Sequence, residues 1–270
     1  MRVTTNTYAD TLANHLQRIN QRQVSLQSQI SSGQRVQDPS DEPIAAGQVL
    51  KLREHSASTA QFQKNIQNHS EFADVSLDTM RSLQKVLDRA QEIAFSTDDL
   101  DSAGDLQSYA VEVDQLIKQA VQFANTAHRG EYILSGTRTD TKPFGAVLDA
   151  DGRVTEVTFS GNAETGESEI AQGVLVSSRV PGANVAGSGE RGLLTDARYN
   201  ADFFGHLIAL RDSLLSGNAQ SVADVRPLLQ KDEDNIIHHL ANNASMQSRL
   251  EATLSSSQDQ KIALESEISR

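Results

Sequence analysis

Apolar residues recur near the start of the chain at alternating steps of four and three: Leu12, Leu16, Ile19, Leu26 and Ile30, with Gln23 in the one polar gap. That spacing lays a single apolar stripe along a helix and predicts a coiled-coil-like seam. Ser31-Ser32-Gly33 predicts its end, because glycine accepts the left-handed backbone that closes a helix. The stretch from Gln37 to Pro43 reads as a linker: Pro39 breaks the chain, Ser40 or Asp41 caps the next helix, and acidic groups stand at its positive end.

A second helix is predicted over residues 44 to about 95, with Phe62, Ile66, Ala73, Met80, Leu83, Leu87, Ala90 and Ala94 on its stripe. Thr97-Asp98-Asp99-Leu100-Asp101 makes a polar turn, after which Leu106, Ala110, Val113, Ile117, Ala120, Ala124 and Ala127 keep the three-four spacing. They predict an antiparallel return in which small residues allow close approach. From about 132 to 192 the period changes. Val154-Thr155-Glu156-Val157-Thr158-Phe159 alternates as a strand does, Asp149-Ala150-Asp151-Gly152 is a hairpin turn, and Val174-Leu175-Val176 is a further strand. Helical spacing resumes with Phe203, Phe204, Leu207, Leu210 and Leu214, breaks at Gly217-Asn218, and continues through Ile236, Leu240, Leu250, Leu254, Leu264 and Ile268.

The fold class expected is mostly α with a β-rich insert: a long antiparallel helical bundle built from both chain ends, plus a small β domain. Its segments are a terminal helix and linker over 1–40, helical core over 41–137 and again over 199–270, and an inserted β-rich domain over 138–198. Gln23, Asn243, Gln247, Ser257 and Lys261 interrupt the seams, which suits helices that meet several neighbours at a partly wet interface. Leu83-Gln84-Lys85-Val86-Leu87 reads as a buried heptad face.

Composition narrows the functional classes. Only 37% of the 270 residues are hydrophobic and 4% aromatic, without tryptophan, which fits narrow helix seams better than a thick interior. The net charge of −12 opposes nucleic acid, whose binding depends on cationic side chains releasing counterions. The absence of cysteine excludes disulfides, zinc-thiolate sites and thiol nucleophiles. The N-terminus lacks the apolar core of a secretory signal, and no run approaches the ~18 apolar residues of a membrane helix.

Candidate chemistry is sparse, and catalysis is not expected. Gly187-Ser188-Gly189-Glu190-Arg191-Gly192 has the dinucleotide-binding spacing, but Pro181-Gly182-Ala183-Asn184 separates it from the nearest strand and no βαβ unit surrounds it. A flexible loop returning to the helical region is preferred. Asp149 and Asp151 resemble the start of a calcium loop without its remaining ligands, so the hairpin turn explains them. His238 and His239 point about 100° apart on a helix, cannot share a metal as an i, i+4 pair can, and are expected to be solvated. His15 and His69 lie on or beside seams, where a polar residue tunes register. No GxSxG elbow or comparable nucleophile motif occurs. No cofactor or metal is implied.

Three stretches carry a resemblance. Arg2-Val3-Thr4-Thr5 opens the chain. Ser31-Ser32-Gly33-Gln34-Arg35-Val36 is followed by Pro39-Ser40-Asp41-Glu42-Pro43-Ile44-Ala45-Ala46, and Gly130-Glu131-Tyr132-Ile133-Leu134-Ser135-Gly136-Thr137 by Thr141-Lys142-Pro143-Phe144. Together they resemble the flagellin superfamily of bacterial flagellar axial proteins. The third stretch, and the lack of a C-terminal flagellin signature around 236–250, resemble the subunits joining hook to filament more than flagellin proper. Glu42 stands where the usual pattern has Asp and keeps the charge.

The resemblance implies a structural motility protein, exported through the flagellar type III channel without a cleaved signal peptide and located outside the cell in the flagellum. Implied partners are further copies in a ring, a neighbouring hook-associated protein, flagellin and an export chaperone, with neither nucleic acid nor membrane. Leu12, Leu16, Ile19, Leu26, Ile30, Arg35, Leu264 and Ile268 are the implied subunit-interface residues. The family closes with a further stretch of helix, whereas this chain stops at Arg270 in mid-heptad, so a shortened chain is expected. The alternatives are a short flagellin filament subunit and a cytoplasmic coiled-coil adaptor.

Overall fold

The computed structural model describes residues 4–32, 42–97 and 103–269; Gly33, the linker through Asp41 and the turn from Asp98 to Asp101 lie outside them. Five helices are described: α1 (Thr4–Ser32), α2 (Pro43–Ser96), α3 (Ala103–Ala124), α4 (Phe203–Ser216) and α5 (Ala219–Ile268). Nine short strands lie between α3 and α4. The chain divides into two compact units, Met1–Gln61 with Ser256–Arg270, and Phe62–Ser255. Among the described residues no helix is long and apolar enough to cross a membrane.

In the unit Phe62–Ser255 the stripe expected on α2 is its inner face: Ala73, Met80, Leu83, Leu87, Ala90 and Ala94 are wholly buried. So are Val113, Ile117, Ala120 and Ala124 of α3. Arg89 of α2 pairs with Glu112 of α3 at 2.6 Å, and Glu71, earlier in α2, pairs with Arg129 beyond the end of α3 at 2.5 Å. A partner number that rises as the α2 position falls marks an antiparallel pair. The same holds for α5. Ala94 O accepts from Arg226 Nε and Nη2 at 3.0 and 2.8 Å, Gln91 donates to Glu233 at 2.9 Å, and Asp74 accepts from Gln247 at 2.7 Å. Arg226 thereby places a cation on a carbonyl of the last turn of α2, where the helix dipole is negative. The Leu83 to Leu87 face is buried, as the heptad implies.

The run ending at Ala127 stops early. α3 ends at Ala124, and Ala127 is an exposed residue of β1 (Ala127–His128), paired with β2 (Glu131–Tyr132). Asn125 redirects the chain: its side chain donates to Val121 O at 2.7 Å and Phe144 O at 2.9 Å, and accepts from Phe144 N at 2.9 Å. A short side chain that satisfies another segment's backbone competes with the helix. Just beyond, Ile133, Leu134 and Ser135 are buried, and Gly136 holds φ +70° against Asn162, where a Cβ would approach within 2.2 Å.

β3 (Phe144–Leu148) and β4 (Val154–Phe159) form the expected hairpin, with a bulge between Val147 and Leu148. Asp149 Oδ1 accepts from Asp151 N at 2.9 Å and Arg153 N at 2.8 Å, and Gly152 has φ +76°, so these residues build the turn. β5 (Ser168–Ala171) and β6 (Val174–Val176) make a second hairpin. The fourth sheet joins β7 (Ala183–Asn184), β8 (Thr195–Asp196) and β9 (Ala201–Asp202), with β8 in the middle.

The segment 138–198 shares its core with the helices: Phe144, Val154, Leu193 and Leu194 lie in one cluster with Leu87, Ile117, Leu207 and Ile236. The contact is polar as well. The Val154 N–H donates to Asp114 of α3 at 3.0 Å, and its carbonyl accepts from Arg211 of α4, which pairs with Asp114 at 3.1 Å. Lys118 adds a bridge of 2.8 Å. Burial would raise the Asp114 pKa, and the hydrogen bonds from Lys118, Val154 and Arg211 outweigh it, holding the carboxyl below its ordinary range. An ion pair carried by two helices thus satisfies both polar groups of one strand residue.

The glycine-rich stretch 187–192 is held rather than loose. Asn184 donates to the carbonyls of Ser188 at 2.8 Å and Glu190 at 2.6 Å, and accepts from Gly187 N at 2.9 Å. Asn235 of α5 donates to Gly192 O and Leu193 O at 2.9 and 2.6 Å. Beside it, His239 is buried with Nε2 3.3 Å from Gly192 O, and burial pushes its pKa down to about 4. The expectation that His238 and His239 are both solvated therefore fails for His239, because the 100° between neighbours turns one ring to solvent and the other to this loop. His69 has Ser178 Oγ at 2.7 Å from Nδ1 and Ser168 Oγ beside Nε2, joining α2 to the second hairpin.

Two caps close the region. Gly217 at φ +65° ends α4 in the left-handed conformation, its N–H on Leu214 O at 3.1 Å. Asn218 Oδ1 then accepts from Gln220 N and Ser221 N at 3.1 and 3.2 Å and starts α5. Both fall where the chain was expected to break.

Candidate assembly surface

α1 belongs to the unit Met1–Gln61 with Ser256–Arg270. Its 29 residues are set by the three-four periodicity, but the stripe is not covered: Leu12, Leu16, Ile19 and Leu26 are each half exposed, and Ile30 is 82% exposed. A row of branched apolar side chains facing water along one helix is the signature of a surface built for a partner.

Within the same unit, the beginning of α2 and the end of α5 lie side by side. Thr59, Ser257 and Leu264 are buried, and Gln260 Nε2 is 3.4 Å from His55 Nε2. Among the described residues the Ser257 hydroxyl has no hydrogen-bond partner, in keeping with a seam that tolerates polar interruptions. The interface residues expected at this end diverge: Leu264 is 7% exposed and already covered, while Ile268 is half-buried. Arg35 lies outside the described residues.

Periodicity missed four exposed apolar residues here, namely Val24, Ile44, Leu50 and Ile262. Val24 and Ile262 stand one position from the polar gaps Gln23 and Lys261, so a heptad count passes over them. A search for apolar residues flanking a polar seam position would have found them. What the described residues of α1 offer is exposed apolar area.

α1 can be tested directly in dilute protein. A helix whose stripe is uncovered rests on propensity alone, which is marginal. Trypsin should cut at Arg18 and Arg22 well before Arg81 and Arg89, whose helix packs in the larger unit; equal resistance at all four, read by mass spectrometry, would show that α1 is packed in the monomer.

The fold and this surface define a class: a structural protein of antiparallel helices with inserted β-hairpins and an exposed apolar stripe on α1. The chain belongs to the family of the bacterial flagellin N-terminal helical region, matched over residues 3–139. It is 31% identical over 118 residues to flagellar hook-associated protein 3 of Escherichia coli K12, and 29% identical over 123 residues to the protein of that name in Salmonella typhimurium. Those matches cover 43% and 45% of this chain, and span 37% and 39% of the two relatives. Among solved structures, a Vibrio parahaemolyticus chain described as a flagellar hook-associated protein superposes with a TM-score of 0.71 at 19% identity, covering 86% of this chain and 99% of that one. The flagellar hook-associated protein-3 of Legionella pneumophila gives 0.58 at 16%, covering 82% and 96%. These likenesses carry the fold, mostly α with small sheets.

Proposed function

We propose that this chain is a structural subunit of the bacterial flagellum that joins hook to filament, assembling through its terminal and core helices rather than catalysing a reaction. The observation that carries the reading is the uncovered stripe from Leu12 to Ile30 on a chain of the flagellin family. An apolar face repeated in identical copies is buried by association, and related copies then close into a ring. Family membership and the names of the matched relatives support placement at the junction. Partners under this reading are other copies, a neighbouring hook-associated protein on the hook side, flagellin on the distal side, and an export chaperone before assembly. Its location is the extracellular flagellum. Leu12, Leu16, Ile19, Leu26, Ile30 and Ile268 make the intersubunit contacts.

Purified hook–basal bodies test this. The protein should be present in small amount at the hook–filament boundary. Abundance along the whole filament would make it a flagellin, and absence with retention in the cytoplasm would make it an adaptor; either result removes the junction reading.

A further inference from the structure

Within the unit Phe62–Ser255 two histidines of the helices hold two stretches of the insert. His69 of α2 reaches Ser178 Oγ, 2.7 Å from Nδ1, and Ser168 Oγ beside Nε2, so one ring brackets the β5–β6 hairpin. Beneath that hairpin lies a small cluster of its own, Ile66, Ile170, Val176 and Leu250. His239 of α5 has Nε2 3.3 Å from Gly192 O, at the end of the glycine-rich loop. Between hairpin and loop the chain is anchored differently: residues 181–184 are buried, Gly182 N donates to Leu134 O at 2.9 Å, and Leu194 N donates to Gly182 O at 2.8 Å.

Both rings sit where a positive charge is opposed. Near His69 stand Arg179, paired with Glu131, and Arg129, paired with Glu71, while His128 and Glu167 line the same side. Near His239 stand His238 on its own helix, with ring centroids 5.6 Å apart, and Arg191 and Asp196 from the loop side. The Asp196 carboxylate is already engaged by Arg198 at 2.9 Å and by the Gly192 N–H at 3.0 Å. Glu167, Glu190, Arg179 and Arg249 line the groove beside α5. From α2, Ala73 O accepts from Asn243, one turn beyond His239, and Asp74 accepts from Gln247. Burial, and then Arg179, lowers the His69 pKa. Burial takes that of His239 down to about 4, with the Gly192 bond and Asp196 offsetting burial and the charges of His238 and Arg191 only in part. A protonated His69 would also donate from both nitrogens, so the serine that had donated to the ring must turn away.

We infer that the insert is a proton-sensitive clasp: with His69 and His239 neutral, the β5–β6 hairpin and the loop 187–192 are closed on α2 and α5, and in mild acid both open while residues 181–184 and the helices stay folded. It does not depend on the junction reading. An open segment takes up a proton on its imidazole near the ordinary 6.5, and the closed one does so only at lower pH. Closure is therefore fully favoured above pH 6.5 and is lost as the pH falls towards 4. His206 behaves in the opposite way. Burial lowers its pKa, but the hydrogen bond from Nδ1 to Asp232 Oδ2 at 2.7 Å and the charge of Asp232 outweigh it, so this tie between α4 and α5 keeps its proton as the clasp opens.

NMR of the full chain between pH 7 and 4 tests the clasp, with ring resonances followed for titration and amide exchange scaled to that of an unfolded chain at the same pH. His69 and His239 should titrate below 6.5 and His206 above it. The amides of β5, β6, Gly187 and Gly192 should lose protection towards pH 4, Gly192 on the order of a hundredfold. Those of Gly182, Leu194 and α3 should keep theirs. His69→Gln and His239→Gln retain a side-chain donor but cannot titrate, and each should remove the pH dependence of its own segment. Either ring titrating near 6.5, or unchanged protection at pH 4, would overturn the clasp. So would an equal loss in the glutamine variants, which would assign the opening to carboxylates, or a simultaneous loss at Gly182, Leu194 and α3, which would make it global unfolding. The ring titrations of the unmodified chain decide the point if a variant does not fold.

Discussion

Replacing Leu16 by Asp in the full-length protein is expected to abolish assembly and swimming while leaving the helical core folded. Leu16 is 55% exposed in the middle of the α1 stripe, so its loss removes little from the monomer. In an assembled seam the same residue would be buried, where a leucine contributes about 1.5–3 kcal/mol. An unpaired carboxylate placed there instead would add a desolvation cost of several kcal/mol. The penalty recurs at every subunit contact, so even the low end prevents a ring from closing. Swimming on soft agar and the melting curve of the purified variant decide it: normal swimming would remove the assembly role of α1, and a lost melting transition would mean that Leu16 serves the fold.

Arg211→Ala should destabilise the larger unit by about 3–5 kcal/mol, the usual result of stripping one partner from a buried ion pair. Arg211 and Asp114 are 4% and 5% exposed. Removing the guanidinium leaves Asp114 with Lys118 as its remaining cation and the Val154 carbonyl without its donor, so the β3–β4 hairpin loses its hold on α4. The combined change Arg211→Met with Asp114→Leu should recover only part of the loss, because it leaves no buried charge behind but strips both the N–H and the carbonyl of buried Val154 of their partners. Urea unfolding followed by circular dichroism measures both. A single-variant effect below about 1 kcal/mol, typical of an exposed pair, would mean that the hairpin is held by Phe144 and Val154 packing and not by the clamp.

The elements that local periodicity encodes were legible without coordinates. α2 spans Pro43–Ser96 where the stripe predicted about 44–95, β4 is the alternating run Val154–Phe159, and Gly217-Asn218 separates α4 from α5. Each depends on side chains within a turn or two of one another, so their order in the chain carries the information. The errors share one cause. Ala127 keeps the helical spacing, yet Asn125 binds the backbone of Phe144, nineteen residues on, and the helix ends. His239 looks like any solvated helix residue until Gly192 O arrives from a loop 47 residues earlier.

For the candidate surface the division is similar. The sequence by itself determined which α1 residues form an apolar stripe, because a 3.6-residue helix allows one face for that spacing. It also determined that the middle of the chain leaves helical periodicity. Only the tertiary structure decided which stripes are consumed internally. Leu264 is buried within its unit while Leu16, at the same kind of heptad position, stays open. Burial depends on which segments meet, and spacing along one segment does not encode that. The clamp of Asp114 and Arg211 on Val154 belongs to the same category: it brings together backbone groups and charges far apart in the chain, whose pairing is set by packing in three dimensions.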